Sequence, residues 1–278
     1  MLGMTRMPAK GLGMLDIKRT FLALDQAPQA QHMYTSELAS IADQIREGTA
    51  EIQIGRANIE DLGVILSLID EAKTWLSTKG TNQWSTDWLD QDGRGRSARV
   101  EISVKEEATW LVWFVSQHEK IPMATVTIEK NANPDVWTDP GTADKPAAYL
   151  SRLITARRFS GLRIGAALID WACAYVAREY RAKFIRIDVW TDNYALHDYY
   201  IKQGFRPCGL CPNETYPSRA LFQRATSGTP AWMDVRHTSM DGGSSDLETP
   251  AHTRLQPEGD LSAPQPWPAT VEAPPQRN

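Results

Sequence analysis

Cysteine is scarce in this 278-residue chain, which has only Cys173, Cys208 and Cys211. An odd, sparse set excludes a disulfide framework and fits a reducing compartment, so a cytoplasmic setting is expected. Long apolar runs are lacking as well. No stretch approaches the roughly 18 residues a membrane-spanning helix needs, and the apolar run from Phe21 to Leu24 is too short for a secretory signal. Surplus positive charge is also missing. A net charge of −4 argues against nonspecific nucleic-acid binding, which needs a clustered cationic surface to displace counterions. The G-x-G-x-x-G spacing of a dinucleotide fold is absent, although Asp188 ends a strand downstream of Gly161 and Gly165 as that fold would require.

What is present has globular proportions, with 42% hydrophobic and 23% charged residues. From about Thr226 onward the chain carries eight of its seventeen prolines and a Gly242-Gly243-Ser244-Ser245 run. Such a segment buries too little apolar surface to offset its ordering entropy, so 226–278 is expected to be a disordered tail. Residues 1–49 read as an N-terminal extension, partly helical or disordered, with Leu38, Ile41 and Ile45 at helical spacing and Gly48 as a stop.

Between these ends the pattern is mixed. Ile52–Arg56 reads as a strand, and Asn58 caps a helix reaching Leu76 with Leu62, Ile65, Leu66, Ile69 and Ala72 on its apolar face. A second helix falls within Thr86–Glu106. Strands follow at Thr109–Val115, Met123–Glu129 and Ala147–Thr155, the first two as a hairpin and the third behind the Pro/Asp/Gly-rich loop Asn131–Pro146. A helix after Gly161 carries Ile164, Leu168, Trp171, Ala172, Tyr175 and Val176 on one face. In Phe184–Trp190, Ile185, Ile187 and Val189 alternate with Arg186 and Asp188, the latter pair expected to point outward. A helix capped by Thr191-Asp192-Asn193 ends at Gly204, and a last strand covers Ser218–Gln223. The order β-α-α-β-β-β-α-β-α-β describes an α/β sandwich.

The chemistry converges on the turn from Ser160 to Gly165. At a strand-to-helix junction the first N–H groups of the helix lack intrahelical partners, and the helix dipole favours an anion there. Gly161 and Gly165 remove side chains where a pyrophosphate must approach. The segment Leu153–Gly165 resembles the strand-turn-helix of the GNAT acetyltransferases, whose Gln/Arg-x-x-Gly-x-Gly/Ala motif falls on Ser160, Arg163 and Gly165. Ser160 replaces the usual basic or amide residue and Arg163 replaces a glycine. A second segment, Asn193–Phe205, is similar to the family's Asn-x(6)-Tyr-x(3)-Gly-Phe helix, and Trp75-Leu76-x(3)-Gly80-x(2)-Gln83-Trp84 resembles actinobacterial-type members.

The resemblance implies a GNAT-like mixed sheet of six to seven strands over 50–225, an antiparallel meander followed by a βαβα unit with helices on both faces. It implies acetyl-CoA as co-substrate, direct acetyl transfer to a small primary amine, no metal, and a monomer or homodimer. Backbone groups of Leu153, Ile154 and Thr155 would hold the pantetheine. The turn residues Ser160, Gly161, Leu162, Arg163, Ile164, Gly165 and Ala166, with Asn193, would bind the rest of the cofactor. Tyr200 would donate the proton to the leaving thiolate. No base is singled out, and Asp188 qualifies by residue type alone. A GNAT fold that senses acyl-CoA without catalysis is the alternative. Cys208 and Cys211 are expected in a loop after Phe205 and lack the second ligand pair a structural zinc requires.

Overall fold

The computed structural model describes residues 36–85, 89–90, 92–138 and 146–226. The tail expected from Thr226 and the first 35 residues fall outside the described residues. Helix α1 (Ser36–Glu47) lays Leu38, Ile41 and Ile45 against the sheet, and Gly48, at a φ of 75°, ends it. These three side chains join the main core cluster, so the packed body begins upstream of residue 50.

Strand β1 (Ala50–Arg56) opens a seven-stranded sheet of order β1-β2-β3-β4-β5-β7-β6. β2 (Thr109–Ser116), β3 (Lys120–Glu129) and β4 (Ala147–Thr155) complete an antiparallel meander. β5 (Phe184–Val189) runs parallel to β4, β7 (Ala220–Ala225) pairs antiparallel with β5, and β6 (Arg206–Leu210) is the edge. The sequence pattern omits β6, because Pro207 and Gly209 within five residues mark an edge strand more than a central one. Cys208 therefore lies on this strand and not in a loop, with Cys211 directly after it.

Helix α2 (Leu62–Ser77) follows a short 3-10 turn at Ile59–Asp61, where Asn58 and Asp61 form a reciprocal capping box. Its buried residues are Ile65, Leu68, Ile69 and Leu76, so the apolar face is rotated slightly from the expected stripe. Helix α3 (Arg96–Lys105) and helix α4 (Ile164–Glu179) cover opposite faces of the sheet. Neighbouring strand residues point to opposite sides. Thr109 bonds Thr127, which Arg152 links to Ser103 of α3, whereas Trp110 packs edge-on against Trp171 and Tyr175 of α4. Helix α5 (Tyr194–Lys202) connects β5 to β6.

The expected outward alternation in β5 is reversed for its polar members. Arg186 is fully buried, donating through Nη1 to the Tyr149 hydroxyl and lying over the Trp137 and Tyr149 rings. The residues Val136, Trp137, Cys211 and Leu221 form a second apolar cluster on that side, which covers the strand where solvent was expected. A period of two identifies the two faces of a strand but not which of them is wet.

Candidate active site

β4 and β5 pair only through Ala147–Tyr149 and Phe184–Arg186. Beyond these three pairs the strands diverge, while β4 keeps β3 on its far edge and β5 keeps β7. The near edge of β4 from Leu150 to Thr155 thus has no strand partner. An open cleft of about 1870 Å³ runs through this gap, bounded by the end of α2, residues 79–84, α3, residues 131–135, the turn before α4, and α5.

The turn brings its donors to one wall. Ile164 starts α4, and Arg163 caps it in the left-handed conformation at φ 54°, ψ 20°. The N–H groups of Gly161, Arg163, Ile164, Gly165 and Ala166 make no backbone hydrogen bond, whereas those of Ser160 and Leu162 close back on Arg157 and Phe159. Unpaired donors at a helix start suit a phosphate. Arg163 occupies the backbone conformation that a glycine adopts without cost. Its side chain is exposed, so it leaves the N–H groups uncovered. At Gly165 a Cβ would meet the Tyr199 hydroxyl at 2.8 Å, so this glycine admits a tyrosine to the helix start.

Leu153, Ile154, Thr155, Ser160, Gly161, Arg163, Ile164, Gly165, Asn193 and Tyr200 all line the cleft. Leu162 and Ala166 instead turn into the core, at 1% and 5% exposure. Asn193 is engaged at both ends of its amide. Its Oδ1 accepts from the Leu196 N–H, and its Nδ2 donates to Gln83 Oε1 at 2.6 Å. Trp190 Nε1 donates in turn to Asn82. The Trp75–Trp84 segment therefore braces the end of β5 against the start of α5. Trp84 and Trp75 sit on the cleft wall, with the Arg157 guanidinium 4.0 Å over the Trp75 ring.

Three non-glycine residues with positive φ, Trp84, Arg152 and Arg163, line this same cleft. Strained backbone concentrates where function over-determines it. Arg152 sits at the register shift between β3 and β4, which aims its guanidinium at Thr127, Ser103 and Glu129.

Two side chains could exchange protons here. Tyr200 is buried between the Tyr199 and Phe205 rings, and burial raises its pKa well above the usual phenol value, so it stays protonated. Asp188 accepts from the Tyr216 hydroxyl at 2.6 Å, and burial pushes its carboxyl up to about 6 against the opposing pull of that hydrogen bond. Residue type alone had singled out Asp188, and only its inward placement shows the perturbation. Among the described residues no group of three His, Cys, Asp or Glu side chains could hold a metal ion.

A model of the acetyltransferase (GNAT) family matches residues 69–205, the span from α2 through the cleft to Phe205. Over that span, just under half of the chain, the sequence is similar to the GNAT acetyltransferases. The enzyme is similar to the uncharacterized N-acetyltransferase YesJ of Bacillus subtilis (strain 168), at 28% identity over 152 residues, which is 54% of this chain and 79% of that one. A solved GNAT-family acetyltransferase from Listeria monocytogenes 4b F2365 aligns at 26% identity with a TM-score of 0.49, covering 63% of this chain and 95% of the other. One from Streptococcus agalactiae 2603 aligns at 15% identity with a TM-score of 0.49, over 64% and 97%.

Proposed function

We propose that this enzyme transfers the acetyl group of acetyl-CoA directly to a primary amine. The observation that carries the reading is the parting of β4 from β5 beside a helix start with unpaired N–H groups. A pyrophosphate would take the N–H groups of Gly161 and Arg163 to Ala166, with the side chain of Ser160 beside them. The pantetheine amides would pair with the free edge of β4 at Leu153, Ile154 and Thr155, as a strand would. That alignment leaves the thioester between the two parted strands, with its sulfur towards Tyr200.

The amine nitrogen attacks the thioester carbonyl carbon, the C–S bond breaks, and the Tyr200 phenol gives its proton to the leaving thiolate. Backbone N–H groups of β4 polarise the carbonyl, a contribution that preorganised donors make in a site of restricted water. Asn193 shapes the cleft through its cap and its bond to Gln83, so any contact it makes with the cofactor would require that bond to be exchanged. The alternative of a sensor without turnover draws on the altered turn, with arginine at 163, and on the N-terminal segment outside the matched span.

Isothermal titration with acetyl-CoA, followed by thiol release across an amine library, tests the reading. Binding with turnover on at least one amine is the expected result. Failure to bind acetyl-CoA refutes it, and binding without thiol release on any amine assigns the chain to the sensor class.

A further inference from the structure

We infer that Asp188 is the general base that takes the proton of the acceptor amine, and that Tyr216 is the positioning residue that orients its carboxylate. The inference rests on the acetyl-transfer reading and adds to it the group that the sequence leaves unnamed.

The placement comes first. Asp188 lies on β5 two residues beyond the last pair with β4, so it stands on the wall of the gap. The facing wall is β4, where the thioester would lie, and Tyr200 of α5 lines the same cleft. Acid and base thus border one reaction space, as a transfer that protonates one atom and deprotonates another requires. On β4, Ser151 Oγ is buried without a hydrogen-bond partner and lines the cleft, offering an acceptor for the remaining N–H of the amine.

The charged and titratable surroundings of Asp188 come from five parts of the chain. Tyr216, from the segment between β6 and β7, donates to its Oδ2 at 2.6 Å. Arg152 of β4 favours its charged form, and Glu129 at the end of β3 opposes it. Tyr200 of α5 feels the same carboxylate, and Arg99 of α3 acts on Tyr216 and Arg152. Burial and Glu129 push the carboxyl up while Tyr216 and Arg152 hold it down, and the balance near 6 leaves it ionised at neutral pH. A carboxylate so balanced is a stronger base than an exposed one and is still available as one.

The protons balance. The N–C bond forms as the C–S bond breaks, the ammonium proton of the adduct passes to Asp188, and the Tyr200 proton passes to sulfur. Asp188 then returns its proton to Tyr200 through the water of the cleft. The sum is one amine and one thioester giving one amide and one thiol.

The test uses the full chain, acetyl-CoA, and an equimolar pool of phenethylamine, lysine and spermidine as probe acceptors, with thiol release followed from pH 5 to 8. The wild type should lose activity as pH falls through about 6. Asp188→Asn should lower the rate by about 100-fold or more while acetyl-CoA affinity, read by titration, stays within about threefold. Tyr216→Phe removes a hydrogen bond that holds the carboxyl down, so its acidic limb should move to higher pH. An amine's own titration cannot move with an enzyme substitution, and neither can a purely structural defect shift a limb, so this displacement isolates the role of Tyr216. Asp188→Glu should recover part of the rate, which keeps the test decisive if Asp188→Asn is poorly folded. Asp188→Asn at half the wild-type rate or more, or an unmoved limb in Tyr216→Phe, overturns the inference while acetyl transfer stands. A wild type that fails to bind acetyl-CoA, or that releases no thiol with these probes or with any amine of the library, overturns the acetyl-transfer reading and this inference with it.

Discussion

Arg163→Gly places the family's usual residue back at the helix start and separates two roles that the arginine combines. The backbone there is left-handed, at φ 54° and ψ 20°. An L-residue in that region costs about 1–2 kcal/mol. Glycine removes the cost but widens the unfolded ensemble by about 0.5–1 kcal/mol, which leaves a net gain of about 0.5 kcal/mol. In a domain of this size that is about 1–2 °C in Tm. Arg163→Ala keeps the left-handed residue and loses an exposed side chain, so its Tm should stay within about 1 °C of wild type. The guanidinium has a second use. A charge-assisted hydrogen bond to phosphate contributes about 1.5–3 kcal/mol, and the exposure of Arg163 reduces that to about 1 kcal/mol, or about fivefold in Kd. Both variants should therefore weaken acetyl-CoA binding alike, and the difference should shrink as salt is added. Differential scanning calorimetry and titration at two salt concentrations read the two effects separately. A lower Tm in Arg163→Gly together with unchanged affinity would refute both halves of the reasoning.

Further outcomes follow from the same geometry. Tyr200→Phe should lower turnover by about 10–100-fold while leaving acetyl-CoA affinity within a few-fold, and an unchanged rate removes the phenol from the acid role. Asn193→Ala deletes an N-cap and the bond to Gln83, so Tm should fall by an amount corresponding to about 1–2 kcal/mol; a loss below about 0.3 kcal/mol would show that the cap is redundant. Asp188 is held near 6, above its unfolded value of 3.8. The native state therefore binds more protons between those values, and this group's contribution to stability falls as pH rises through that window and stays lost above it. Asp188→Asn should accordingly be more stable than wild type at pH 7.5, by about 1 kcal/mol after allowing for screening in an open cleft, and by less at pH 4.5, as read by thermal unfolding. Equal offsets at the two pH values would contradict the raised pKa.

The order of elements was legible because its signals are local. Asn58 and Asn193 cap helices, Gly48 and Gly204 adopt positive φ after helices, and the meander reads from its own alternation. The turn from Ser160 to Gly165 was legible for the same reason, since a strand, a glycine and an apolar helical stripe lie within one short segment. What escaped depends on long-range placement. The alternation in β5 separates Arg186 and Asp188 from Ile185, Ile187 and Val189, but only the cover supplied by Trp137 and Tyr149 makes the polar face an interior one. The pairing of Asp188 with Tyr216 joins β5 to the segment between β6 and β7, and no spacing rule announces it. β6 went unread because an edge strand tolerates Pro207 and Gly209.

The three-pair junction between β4 and β5 makes the sheet two half-sheets hinged at one end. On the proposed reading the pantetheine would act as an interstitial strand and complete a ladder that the polypeptide leaves unfinished. Amide hydrogens along the free margin of β4 and the far part of β5 should then exchange quickly in the free enzyme and slow together when acetyl-CoA is added. In that sense the co-substrate would be a component of the fold during each turnover, and departure of CoA would be a small, local unfolding.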